Sequence, residues 1–279
     1  MDKITKKTGE RLEFYNFSNV TVEHLHRYAL AIDFVKNKRV LDIASGEGYG
    51  SFLLSKNALL VTGVDIDEKT VRNAQKKYIK ENLNYIVGRA DQIPIDSESI
   101  DVVVSFETIE HHDKHDEMFA EIKRVLKPEG ILIMSSPDKK YYSDLTGQVN
   151  PFHIKELYFD EFKNLSQRFF LNTDFYYQVA YNLSSYINHA NDFEETMVYK
   201  GDNSNVIKSE IQPVYNVLIA SSGKIEKIAP SIFDGVEISR KINDQIKLNL
   251  TNNLKKTFSY RIGNFLIQPF FFIKRIIKK

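Results

Sequence analysis

Cysteine and tryptophan are absent from these 279 residues, and proline and glycine are scarce, at 7 and 12. Without cysteine there are no disulfides, thiolate metal ligands or cysteine nucleophile, a composition in keeping with a reducing compartment. A surplus of charge is missing too. The 38 Lys and Arg residues face 37 Asp and Glu, so no global field marks nucleic acid as a partner and none is expected. Lys3, Lys6 and Lys7 are not followed by the apolar stretch of a secretory signal, and no apolar run suffices to span a bilayer. The chain is therefore expected in the cytoplasm. With 42% hydrophobic residues, it has enough apolar surface for one substantial core with an appendage.

Between Val22 and Val35, the residues Leu25, Tyr28, Ala29, Ile32 and Val35 recur at helical spacing, which predicts a helix in an N-terminal arm or cap over 1–38. From Arg39 the pattern becomes short β-branched runs: RVLDIA, LLVTGVDI, NYIVGRA, IDVVVSFE and GILIMSSP. Helical stretches lie between them, among them Glu68 to Ile79 and Asp116 to Leu126, the latter stopped by Lys127-Pro128-Glu129-Gly130. This alternation predicts an α/β, Rossmann-like, doubly wound sheet. A helix is expected near Ile154 to Phe162. Two later runs, TDFYYQVAY and PVYNVLIASS, are expected to pair antiparallel at the edge, giving a mostly parallel sheet of seven strands. The domain is assigned to 39–230, with the polar stretch near 188–210 as an insertion or lid. Residues 231–279 form a helical tail, polar from Asp234 to Lys256 and aromatic and basic from Tyr260.

The first strand runs into LDIASGEGYG, where Gly46, Gly48 and Gly50 follow Asp42. Glycines there let a backbone approach a ligand and free N–H groups at a helix start. A dinucleotide site asks for G-x-G-x-x-G; here glycine stands at every second position, and Ala44 occupies the place of a first glycine. That argues against a dehydrogenase. Asp65 ends the second strand, where a carboxylate can accept the hydroxyls of a ribose. Asp91, beside Gln92, is placed to accept from an adenine amine, with Ile66 and Ile93 flanking the ring.

In this order, VLDIASGEGYG, VTGVDID, RADQIPIDSESIDVVVSFETIEHH and EIKRVLKPEGILIMSSP resemble the successive motifs of class I S-adenosylmethionine-dependent methyltransferases, from Arg39 to Pro137. The resemblance implies that Ala44, Gly46 and Gly48 hold the methionine part of S-adenosylmethionine, Asp65 its ribose and Asp91 its adenine. It also implies that Phe106 and Glu107 line the methyl-donor face.

Two flanking segments, ERLEFYNFSNVTVEHLHRYALA and YYSDLTGQVNPFHIKELYFDEF, resemble methyltransferases encoded with bacterial surface-glycan genes for O-antigen or capsule. That likeness implies O-methylation of a sugar hydroxyl, or of a phosphate or phosphoramidate-type group, on a glycan or a nucleotide- or lipid-linked sugar. A hydroxyl acceptor must lose a proton, and His153 and His111 are candidates because an imidazole titrates near neutrality. Alternatively, His153 ties its loop to the sheet and His111 orients the loop after the fourth strand. An ionised phosphate acceptor would instead need charge clamps, for which Arg11, Arg27 and Lys155 are candidates, with Tyr28 beside Arg27. No metal is expected: Glu110, His111, His112, Asp113 and His115 lack a pair of histidines on one helical face and read as a solvated loop. The tail YRIGNFLIQPFFFIKRIIKK suits the inner face of an anionic membrane, and equally an ordinary terminal helix. The FETIEHH loop also resembles quinone-precursor methyltransferases, and a non-catalytic scaffold that kept the fold is a third reading.

Overall fold

The computed structural model describes residues 19–147, 149–193, 195–257, 259, 260 and 262. Arg11 and the aromatic-basic run beyond Ile262 lie outside these. The chain divides into two compact units, Met1–Asp234 and Gly235–Lys279. In the second, α7 (Val236–Lys256) carries Glu237 in its first turn and Lys255 and Lys256 in its last, complementing the helix dipole. Among the described residues, no helix is long and apolar enough to cross a membrane.

The first unit is built on a single sheet. Strands β1 (Arg39–Ile43), β2 (Leu60–Asp65), β3 (Leu83–Val87), β4 (Ile100–Ser105) and β5 (Leu126–Pro137) are all parallel, in the order β3-β2-β1-β4-β5. Beyond β5 lies β10 (Tyr215–Ser221), antiparallel to both β5 and β6 (Asn172–Tyr181). The antiparallel partnership of β6 and β10 is the expected one. The edge is not, because β7 (Ser184–His189) and β11 (Ser231–Phe233) extend the sheet to nine strands. The step from β6 to β7 is a two-residue turn at Asn182 and Leu183, both in left-handed conformation (φ 45° and 67°), the geometry that matches strand twist in a tight hairpin. The expected insertion thus begins with a sheet strand. It continues through α6 (Ala190–Phe193) into a separate hairpin of β8 (Val198–Gly201) and β9 (Val206–Ser209).

Helices cover both faces, and side-chain alternation along the strands sorts the core in two. Leu41, Ile43, Val103, Leu132, Met134, Leu218 and Ala220 point to one face, against Met118, Phe119 and Ile122 of α4 (His115–Val125) and Phe162 and Leu165 of α5 (Phe159–Phe169). Val40, Val61, Val102, Val104, Ile133, Val217 and Ile219 point to the other. There they meet Tyr28, Leu30 and Ala31 of α1 (Asn19–Ile32) and Tyr49 and Leu54 of α2 (Tyr49–Leu54). Strands buried on both faces must be apolar throughout, which is why these runs do not alternate with polar residues. On the β3 side, Val71 and Ala74 of α3 (Glu68–Lys77) pack on Tyr85; Asp67 caps α3 by accepting from the Thr70 N–H at 2.7 Å.

One helix starts later than its sequence pattern suggests. Residues 154–157 are not helical, because the N–H groups of Ile154 and Lys155 donate to the Glu110 carbonyl at 2.8 and 3.1 Å. The helix begins at Phe159, where the Glu161 carboxylate accepts from the Tyr158 N–H at 3.0 Å.

Contact between α1 and α2 explains Gly50: a Cβ there would stand 1.9 Å from the Tyr28 ring. Gly50→Ala is expected to cost about 1–3 kcal/mol by overpacking, read as a lower urea midpoint; an unchanged midpoint would show that Tyr28 does not pack there.

Candidate functional site

Neighbouring strands β1 and β4 run parallel, yet α2 packs on one face of the sheet and α4 on the other. Their connections diverge and leave a crevice at the carboxyl ends, where open α/β sheets bind ligands. Both connections open with a non-glycine residue in left-handed conformation, Ala44 after β1 (φ 57°) and Glu107 after β4 (φ 50°). Such backbone costs about 1–2 kcal/mol at each position and concentrates where function needs it.

The glycines of the first loop serve different ends. A Cβ on Gly46 (φ 53°) would find its nearest neighbour, the Ala44 carbonyl, 4.0 Å away, so this loop fronts open space. Gly48 (φ 83°) is a packing glycine: a Cβ would lie 2.8 Å from Ala74 and Tyr85, and the Tyr85 hydroxyl donates to its carbonyl at 2.7 Å. Asp65 ties the loop to β2, its carboxylate accepting from the Gly46 N–H and the Asp67 N–H, both at 2.9 Å. Beside it Ile66 is 62% exposed, an apolar face offered at the crevice. Asp42 lies behind the loop. It is buried and accepts from Ser51 at 2.6 Å and Tyr28 at 3.3 Å, and burial, opposed by the Ser51 hydrogen bond, pushes its carboxyl up to about 7. Asp91 accepts from Arg89 and Lys114, each at 2.8 Å, and these cations hold its carboxyl well below the usual range. Gln92 beside it is exposed.

Glu107 projects from its left-handed turn onto two supports. Ser135 donates to it at 2.6 Å, and Arg27 approaches to 3.1 Å. Arg27 is fully buried, donates from Nε to Gln178 at 2.6 Å and stands over the Tyr215 ring at 4.3 Å. Phe106 is buried edge-on to Tyr28, with centroids 5.0 Å apart. Arg27 and Tyr28 are thus part of the floor of the domain, whereas the Lys155 side chain is exposed.

A second constellation follows β4 and β5. Glu110, expected in a solvated loop, is buried at 1% exposure inside a 3-10 turn (Ile109–His111), and His115 is buried at the start of α4. The loop expectation fails because the chain after β5 folds over this turn. His111 Nδ1 donates to the Phe152 carbonyl at 3.0 Å. His153 Nδ1 lies 2.5 Å from Glu156 Oε1, whose other oxygen accepts from Ser143 at 2.6 Å. The His111 and His153 rings meet edge to face at 5.2 Å. The two candidate histidines, far apart in sequence, are therefore together. Sequence reasoning missed Glu156, for which the H-x-x-E spacing of 153 and 156 was the available signal; Glu110 was named but placed in a solvated loop, and only the tertiary fold reveals its burial.

The fold is a Rossmann-like α/β sheet with helices on both faces. Residues 41–134 match the methyltransferase domain family. A Mycolicibacterium smegmatis protein described as a probable S-adenosylmethionine-dependent methyltransferase is 36% identical over 119 residues, 42% of this chain and 46% of its own. A phthiotriol/phenolphthiotriol dimycocerosates methyltransferase of Mycobacterium leprae is 31% identical over 109 residues, 38% of this chain and 40% of its own. The chain spans less than half the length of these curated relatives. In fold it is similar to an S-adenosylmethionine-dependent methyltransferase of Archaeoglobus fulgidus (TM-score 0.54, 18% identity, 73% of this chain and 94% of that one). It is also similar to the YcgJ protein of Bacillus subtilis (TM-score 0.53, 20% identity, 72% and 100%). Residues 41–134 are a class I methyltransferase domain, and S-adenosylmethionine is the cofactor that the domain and its relatives imply. These relatives give the class and not the glycan association. The residues present fit the cofactor: Gly46 leaves space for a ligand, Asp65 places a carboxylate at the same strand ends, and Ile66 offers an apolar face.

Between the ordinary carboxyl value of 3.8 and about 7, folded Asp42 keeps a proton that the unfolded chain has lost. Raising the pH through that interval therefore drains stability, by roughly 1–4 kcal/mol. Asp42→Asn keeps an acceptor for Ser51 and Tyr28 and should remove this part of the slope. Urea unfolding of both proteins at about pH 5 and about pH 8 reads the difference; parallel slopes would refute the raised value.

Proposed function

We propose that this protein is an S-adenosylmethionine-dependent O-methyltransferase acting on a sugar hydroxyl, or on a phosphate or phosphoramidate-type group, of a bacterial surface polysaccharide or its precursor. The observation that carries the O-methyl reading is the convergence of two features at the carboxyl ends of the parallel strands. One is a crevice opened by left-handed turns at Ala44 and Glu107, and the other is the His111–His153–Glu156 cluster. The flanking segments that resemble glycan-linked methyltransferases supply the acceptor class. A relative named for a triol substrate is in keeping with an oxygen acceptor.

In this reading the backbone at Ala44, Gly46 and Gly48 receives the amino-acid part of the cofactor, with Asp42 supporting the loop from behind. Asp65 takes the ribose hydroxyls, Asp91 and Gln92 the adenine amine, and Ile66 the ring face, while Phe106 and Glu107 line the methyl. S-adenosylmethionine held there would supply a methyl group on a cationic sulfur, to be taken by an in-line oxygen, the C–O bond forming as C–S breaks and the sulfur leaving as a neutral thioether. The protein's task is to hold that oxygen at roughly 3–3.5 Å and dispose of its proton. His153, oriented by Glu156, and His111 beside it activate the hydroxyl, and Lys155 steadies an anionic portion of the acceptor. Arg11, outside the described residues, is kept as a second candidate charge clamp, and Arg27 and Tyr28 shape the floor beneath. The basic and aromatic end of the sequence would bring the enzyme to the inner face of an anionic membrane, where lipid-linked sugars are displayed.

Calorimetry with S-adenosylmethionine and S-adenosylhomocysteine, with NADH as control, tests the cofactor; binding of the adenosyl ligands alone is expected. Asp65→Ala should weaken that binding by about 1–3 kcal/mol as ribose hydrogen bonds are lost, and unchanged affinity would remove Asp65 from the site. His153→Ala should abolish methyl transfer to nucleotide-linked or oligosaccharide acceptors while leaving S-adenosylhomocysteine affinity intact. A fully active variant would rule out His153.

A further inference from the structure

Glu110, His111 and His153 each bring one ligand-type atom within 4.8 Å of the others. The hydrogen bonds around them settle which atoms these rings can offer. His111 Nδ1 donates to the Phe152 carbonyl at 3.0 Å, leaving the lone pair on Nε2. His153 Nδ1 donates to Glu156 at 2.5 Å, and its Nε2 accepts from the Asn150 amide at 3.0 Å. The Asn150 amide is oriented because its oxygen accepts from the Phe152 N–H at 3.1 Å. Both imidazoles thus present Nε2 as a lone-pair donor, with the tautomer fixed from the other side of the ring.

A carboxylate behind a histidine, itself held by a further hydroxyl, is the outer shell that orients imidazole ligands and raises their basicity. Here it is the chain Ser143–Glu156–His153. The third donor comes from a different direction: Glu110 has both carboxylate oxygens buried, and its backbone carbonyl takes the N–H groups of Ile154 and Lys155. The segment bearing His153 is therefore fastened to the turn bearing Glu110 and His111.

We propose that Glu110, His111 and His153 bind a first-row divalent cation whose remaining positions are open to the acceptor's oxygen. The catalytic part of this inference rests on the O-methyltransferase reading; the binding of the cation does not. Two imidazoles and one carboxylate favour Mn(II), Fe(II), Co(II) or Zn(II) over Mg(II) and Ca(II), which prefer oxygen ligands throughout. Asn150 gives up its hydrogen bond to His153 when the cation enters. A cation with only three protein ligands can act as a Lewis acid. It lowers the pKa of an approaching hydroxyl, whose proton leaves to solvent while the electron pair stays on the oxygen that attacks the methyl. His111 and His153 then serve as ligands, which is how they activate the acceptor.

The test uses the full chain after chelator treatment, titrated with Co(II) by visible absorption and with Mn(II) by calorimetry. Stoichiometric Co(II) binding with ligand-field bands is expected. His111→Ala, at a half-exposed position, should weaken it by at least about 10-fold, as should the outer-shell change Glu156→Gln. Far-UV circular dichroism of each variant establishes that it is folded. Failure of the wild-type chain to bind Co(II), or equal affinity in folded His111→Ala, overturns the site. Calorimetry with S-adenosylhomocysteine on the same samples keeps the two readings apart. Cation binding without the adenosyl ligand overturns the methyltransferase reading alone, and adenosyl binding without the cation overturns the metal site alone.

Discussion

The organisation of this protein depends on one constraint: β1 and β4 are hydrogen-bonded neighbours whose following helices must cover opposite faces of the sheet. Connections that part in this way cannot fill the space between them with backbone, so a crevice is left at the carboxyl ends. Turning out of a strand there is what places Ala44 and Glu107 in left-handed conformation. Asp65 then fastens the first turn to β2 through the Gly46 N–H. The site is a consequence of how the sheet changes direction, and the side chains are added to a cleft the topology already supplies.

What the sequence made legible is what local pattern records. The five parallel strands appear as β-branched runs, and the glycine-rich turn follows directly from the first. Even there the reading was coarse: three glycines at alternate positions look alike on paper, but Gly46 fronts open space while Gly48 and Gly50 accommodate Tyr85 and Tyr28. The strand β7 escaped notice because its turn is Asn182-Leu183, and leucine in a left-handed turn carries none of the usual glycine signal. The apparent helix over 154–162 misled because its first residues spend their N–H groups on Glu110. Glu110 itself lay among polar neighbours, and nothing in the order of residues said that the segment after β5 would bury it.

Left-handed Glu107 is stable because its surroundings over-determine it. Ser135 and Arg27 both hold its carboxylate. Arg27 has no exposure, and a buried guanidinium without a counter-charge would cost several kcal/mol. The energetic demand of Arg27 thus fixes Glu107, and α1, which carries Arg27, becomes part of the site through an ion pair. Glu23 on the same helix strengthens this coupling: burial, opposed by Arg27, pushes its carboxyl up to about 7.

Glu107 and the pair Glu110–His111 lie within one short stretch after β4, the first oriented by Ser135 and Arg27 and the second joined to His153. In the proposed reaction, what positions the methyl donor at Glu107 would share a backbone with what positions the acceptor at His111 and His153. Displacement at a methyl tolerates little error, since a misplacement of about 1 Å can cost roughly a hundredfold in rate. A single rigid turn between the two half-sites meets that tolerance more reliably than two independent loops. The 3-10 turn at Ile109–His111, with Ile109 and Glu110 buried and the Glu110 carbonyl accepting two backbone hydrogen bonds, provides that rigidity.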